Sequence, residues 1–240
     1  MCFSATASFS AGVVLSVIGV SAIKKVRHPS EIMFASIPFI FAIQQTAEGI
    51  LWLTLAKGNS VFLQNSMTHF YLIIAQIVWP IWVPLSILFL EKKRIQKRIQ
   101  KILVLIGGLV SLYMTYCIFN FSMQSKIDHY HISYTQNYPE IFSLFGSSLY
   151  VIATIGPAFF SHIRHMRILG TSVLLSYIIS IIFYEDYLVS VWCFFASIIS
   201  ISVYIVMQEI DSRHRKEIRN KIRTQKPSKK LTKIKLTNTL

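Results

Sequence analysis

The chain is expected to be an all-α membrane protein of seven transmembrane helices, with its N-terminus outside and its C-terminus cytoplasmic. Three observations carry that expectation. Seven apolar segments, each near the ~20 residues a bilayer requires, fall at Ser4–Ile23, Glu31–Ala56, Met67–Leu90, Ile102–Phe121, Ile141–Ser161, Ile168–Tyr184 and Leu188–Met207. Hydrophobic residues make up 53% of the 240 and charged ones only 14%, with a mean hydropathy of +0.53, far from a soluble domain of this length. Of the 24 Lys and Arg, 22 lie in the first, third and fifth connections and the C-terminal tail, leaving only Lys57 and Lys126 on the other side. Loops rich in Lys and Arg stay cytoplasmic, which sets the orientation.

Taken in order, the first segment carries Ser4, Ser8, Gly12, Ser16 and Gly19 near one helical stripe, a packing surface that lets another helix approach closely. Lys24, Lys25 and Arg27 follow it directly and no basic residue precedes it, so it is expected to be a reverse-oriented anchor and not a cleavable signal. The second segment holds Glu48, an ionisable group at membrane depth that costs at least ~2.5 kcal/mol there and is a functional candidate by default. Gln44 and Gln45 lie one turn to one side of it and Trp52 one turn to the other, near a common face.

The third segment opens on Ser66-Met67-Thr68-His69 and continues through Gln76 to Trp79-Pro80-Ile81-Trp82-Val83-Pro84. Its two prolines free backbone carbonyls in mid-membrane, which is tolerated only where neighbours or water satisfy them. His69 and Gln76, seven apart, are predicted to share a polar face. The fourth connection, Ser122 to Glu140, carries Asp128, His129 and His131, and two imidazoles two residues apart share a face if the segment is extended. The sixth connection holds Glu185 and Asp186. The last segment presents Ser190, Cys193, Ser197 and Ser200 at spacings of three and four, another packing stripe.

Residues 1–208 are read as the transmembrane domain and 209–240 as a basic cytoplasmic tail, a short helical extension followed by disorder, resting on anionic lipids. The net charge of +14 is accounted for by topology, so no nucleic-acid partner is expected. His162 and His165, in the basic fifth connection, are expected to meet lipid phosphates or solvent. Cys2, Cys117 and Cys193 have no metal-motif spacing.

Met1-Cys2-Phe3-Ser4-Ala5-Thr6-Ala7-Ser8-Phe9, Gln44-Gln45 with Glu48-Gly49 and Trp52, the Trp79–Pro84 segment, His131–Tyr134 and Val189–Ala196 together resemble an uncharacterised family of bacterial multi-pass membrane proteins, a domain of unknown function. The resemblance implies a bacterial inner-membrane protein and supplies no activity; the long basic tail departs from the family's usual pattern. A retinal protein is excluded because the last segment holds no Lys for a Schiff base. Ser66–His69 is similar to part of the pattern of zinc-dependent membrane hydrolases of the alkaline-ceramidase type, but the last segment lacks the His pair that completes it.

Two functions follow from these residues. The first is binding, sensing or transport of a small molecule or ion in an outward-facing polar pocket centred on Glu48 and lined by Gln44, Gln45, Trp52, His69, Gln76, Glu185 and Asp186. The alternative is an intramembrane hydrolase acting on a lipid or amide, with Glu48 as general base and His69, His131 and Asp128 holding zinc. A variant of it uses Cys2 as a nucleophile beside the amine left by removal of Met1.

Overall fold

The computed structural model describes residues 4–58, 60–128, 131–137, 143–183, 187 and 195–225. Cys2, His129, Glu185, Asp186, Cys193, the first part of the seventh predicted segment and residues 226–240 lie outside the described residues.

Helix α1 (Ala5–Ile23) starts where the Ser4 hydroxyl accepts the Ala7 backbone N–H at 3.2 Å, the standard way of satisfying a helix's orphan donors. A 3-10 turn (Pro29–Glu31) and the short α2 (Ile32–Ala35) lead into α3 (Ile37–Lys57), which ends on Gly58 at φ 63°. Glycine takes that left-handed cap without a Cβ penalty. Helix α4 (Val61–Leu72), capped by Ser60, passes through a π-helical stretch (Ile73–Val78) into α5 (Trp79–Leu90). Helix α6 (Arg94–Asn120) precedes a two-stranded antiparallel hairpin, β1 (Met123–Asp128) and β2 (His131–Gln136). Helices α7 (Ser143–Phe159), α8 (Met166–Phe183) and α9 (Ala196–Gln225) complete the described chain.

Five helical runs are long and apolar enough to cross a membrane: Ala5–Ile23, Pro29–Lys57, Val61–Leu90, Arg94–Asn120 and Met166–Phe183. The predicted segments map onto helices throughout the described residues, with two differences of extent. The third run begins at Val61, six residues before its predicted start, and α6 begins eight residues early with its basic first turns included. The wholly helical expectation is also amended by the hairpin, which sits at one end of the bundle. Helix α9 runs unbroken across residues 208 and 209.

Helix α1 packs on α3 and α9, α8 on α7 and α9, and α5 on α6 and α7. In lipid, such packing relies on close backbone approach, and small residues provide it. The Gly49 Cα faces the Phe9 ring, while Gly12 lies against Thr46 and Ala42. At Gly107 the fit is tightest, since a Cβ there would lie 1.8 Å from the Pro80 carbonyl oxygen. The main core, including Leu15, Phe34, Trp79, Ile87, Met166, Val203 and Met207, fills the bundle away from the hairpin.

Proline and the π turn leave carbonyls in α4–α5 that their own helix does not fully use. Neighbouring helices satisfy them. Ser111 Oγ donates to the Ile77 carbonyl at 2.7 Å and Tyr150 OH donates to that of Ala75. The expectation that neighbours would do this is met, with α6 and α7 as the neighbours.

Candidate functional site

Glu48 is fully buried, as are Gln44 and Gln45 beside it, in the middle of α3. Gln45 Nε2 donates to Glu48 Oε2 at 3.3 Å, and Trp79 Nε1 donates to Gln44 Oε1 at 3.0 Å. Trp79 is itself held by Phe41, ring centroids 4.1 Å apart. A helix that must place these groups inside a bundle needs small neighbours, which Ala47 and Gly49 supply. The result is a polar layer of two amides and a carboxyl between α3 and the start of α5. On the facing side, the buried Ser8 of α1 lies next to Phe9, which packs on Gly49. The Ser8 hydroxyl and Trp52 Nε1 are buried with no hydrogen-bond partner among the described residues.

The hairpin closes this layer from above. Ile132 is buried against Leu51 and Trp52, one turn beyond Glu48, and Tyr134 stacks on Tyr71 at 4.9 Å with the rings 4° from parallel. Thr68 Oγ1 and Ser125 Oγ are 2.7 Å apart, Gln64 Nε2 donates to the Ser125 carbonyl, and Gln76 Nε2 donates to Gln136 Oε1 at 2.9 Å. A period-two pattern drives it: Met123 and Ser125 on β1 are buried while Gln124 and Lys126 are exposed, as a half-buried strand requires. Among the described residues, the hairpin thus packs over the end of α3 that carries Trp52, one turn beyond Glu48.

Of the predicted lining residues, Gln44, Gln45, Glu48 and Trp52 come together and Gln76 joins the hairpin's inner contacts. His69 does not. The helix turns Thr68 inward, 1% exposed, and leaves His69 Nδ1 2.8 Å from the Asn65 carbonyl of its own helix. Between His69 and Gln76 the helix passes into the π stretch that begins at Ile73, where the repeat is longer than 3.6 residues. Asp128 and His131 are opposed across the strands and share Tyr187, whose hydroxyl donates to Asp128 Oδ2 at 2.9 Å while its ring stacks on His131. Among the described residues, no group of three His, Cys, Asp or Glu side chains is placed to share a metal ion, so His69, His131 and Asp128 do not form one set.

The opposite, basic end holds a constellation that the sequence does not announce. Four carboxylates gather there, Glu31 and Glu91 at helix ends and Glu209 and Asp211 within α9. Glu91 takes the His162 backbone N–H at 3.1 Å, the Ser161 hydroxyl and His162 Nδ1. His165 reaches Glu209 Oε2 through its backbone N–H at 2.9 Å and through Nδ1 at 2.7 Å, and Arg213 completes that group. His214 Nε2 lies 2.7 Å from Glu31 Oε1, and Arg27 and Arg215 both bind Asp211. His162 is thus corrected from a lipid- or solvent-facing group to an internal partner of the buried Glu91, whereas His165 pairs with Glu209 and keeps a solvent-exposed side. Burial pushes the Glu209 carboxyl up, but its His165 bonds and Arg213 outweigh it and hold it below the usual range. Asp211 behaves alike, with Arg27 and Arg215 overcoming the effect of burial. The pairs join α9 to the first and fifth connections, which are far apart in sequence, so only an acid within an otherwise basic side hinted at them.

A family model described as Family of unknown function (DUF6629) matches residues 1–220, and the chain belongs to that family. The matched stretch includes the described α9 well past residue 209. No curated protein and no solved structure matches the chain.

Proposed function

We propose that this membrane protein binds a small molecule or ion at the Glu48 layer, for sensing or transport, and that the hairpin is the cover through which the layer is reached. Glu48 is the group that exchanges a proton or a cation, Gln44 and Gln45 are its amide partners, and Trp52 marks the passage to the hairpin. The observation that carries the reading is a carboxyl with no exposed surface in mid-helix. A charge so placed is costly enough at membrane depth that it needs a compensating partner or a proton. Buried donors at Ser8 and Trp52 with no partner among the described residues support it, since such groups cost about 1–3 kcal/mol each unless a ligand or water meets them. The seven-span topology with the hairpin end outside and the acid-histidine end cytoplasmic completes the proposal, supported by the division of basic residues.

Infrared difference spectroscopy on the reconstituted protein, stepping pH or adding sodium or potassium, tests the site. A carboxyl carbonyl band is expected to respond in the wild type and to vanish in Glu48→Gln, which keeps shape and hydrogen bonding but not the proton. Superimposable difference spectra from the two folded proteins contradict the reading.

A further inference from the structure

An open groove of about 540 Å³ runs along the outer flank of α1, lined by Phe9, Gly12, Val13, Val17 and Lys24 of that helix together with Thr46 of α3. We infer that this groove seats one acyl chain of an anionic phospholipid of the basic-end leaflet, with its phosphate at Lys24. The inference rests on the membrane reading of the chain but not on any role for Glu48.

The groove is mainly apolar away from Lys24. Each hydroxyl that lines it is turned back onto its own helix: Ser16 onto the Gly12 carbonyl at 2.8 Å, Ser21 onto Val17 at 2.9 Å and Thr46 onto Ala42 at 2.8 Å. What remains is mostly apolar surface, the Phe9 ring and valine methyls over a glycine floor, and Val13 and Val17 stand 65% and 61% exposed at its edge. From residue 9 to residue 24 the helix advances fifteen residues, about 22 Å at 1.5 Å per residue. That exceeds half of the ~30 Å hydrocarbon core, so a chain entering at the headgroup level lies in it along its length.

Charge chooses the occupant. Among the described residues the only cation on the groove is Lys24, at the end where α1 leaves the apolar layer, where a headgroup phosphate sits. A second copy of the chain fits less well. Two copies related by an axis normal to the membrane meet at equal depths, which sets Lys24 against Lys24.

Native mass spectrometry of the full chain tests the site, with phosphatidylglycerol and phosphatidylcholine of the same acyl chains added in turn. Retention of one phosphatidylglycerol in preference to phosphatidylcholine is expected. Lys24→Ala is expected to reduce that preference about fivefold, the worth of one lysine at an anionic surface, and Val17→Trp, which fills the groove from its exposed edge, to remove both lipids. Unchanged phosphatidylglycerol retention in Val17→Trp places the lipid elsewhere, on the basic tail, and overturns the inference. A dimer mass lost in Val17→Trp identifies a second copy as the occupant and overturns it too.

Discussion

Gly107 and Gly108 adjoin in sequence and differ entirely in surroundings, which makes them a sharp test at the scale of single residues. A methyl at Gly107 collides with the Pro80 carbonyl, whereas at Gly108 nothing lies within 4 Å. Gly107→Ala is therefore expected to cost about 3 kcal/mol or more, since backbone cannot yield as a flexible side chain can. Gly108→Ala is expected to be neutral, and melting of the two purified variants checks both. Nothing in the sequence distinguishes the pair, because the partner atom lies in another helix. Glu48 was legible for the opposite reason: one ionisable residue within an apolar segment is a discrete signal that needs no tertiary knowledge. The π stretch Ile73–Val78 was not legible, because a regular 3.6-residue repeat is the default reading of an apolar helix.

At the scale of elements, the hairpin and α9 are the two pieces that the hydropathy pattern underdetermines. Residues 123–136 alternate in burial only over Met123–Lys126 and sit between apolar helices, so they read as a connection. The attachment of α9 depends on contacts 44 to 184 residues apart in sequence, beyond any local pattern. Its pH dependence follows from the carboxylates. Glu209 and Asp211 are held below the ordinary carboxylate range when folded, so their stabilisation is complete above the unfolded value near ~4 and is lost as pH falls through the folded value. Spin labels at Lys24 and Ile218, both exposed, are expected to give one narrow distance distribution at neutral pH that broadens in acid while helix content persists. A distribution unchanged down to complete unfolding contradicts the attachment described here.

Over the whole molecule, the sequence conveyed the membrane class and the helix order, because composition and segment length are bulk properties that tertiary contacts do not alter. Orientation rests on the split of basic residues, 22 on one side and 2 on the other, and reporter fusions are expected to read external after Ser125 and cytoplasmic after Gln225. A cytoplasmic reading after Ser125 contradicts the orientation. Acid-histidine and acid-arginine pairs tie one end of the bundle together, and the hairpin packs at the other, where the proposal makes it the cover of Glu48. Joining the hairpin to the bundle tests that account most directly. Thr68 and Ser125 have their hydroxyl oxygens 2.7 Å apart, so the pair Thr68→Cys and Ser125→Cys places two thiols within bonding reach. In the oxidised variant the Glu48 infrared band is predicted to stop responding to pH on the hairpin side and to respond again after reduction. A band that responds equally with the disulfide closed and open would contradict the hairpin as the cover of the site.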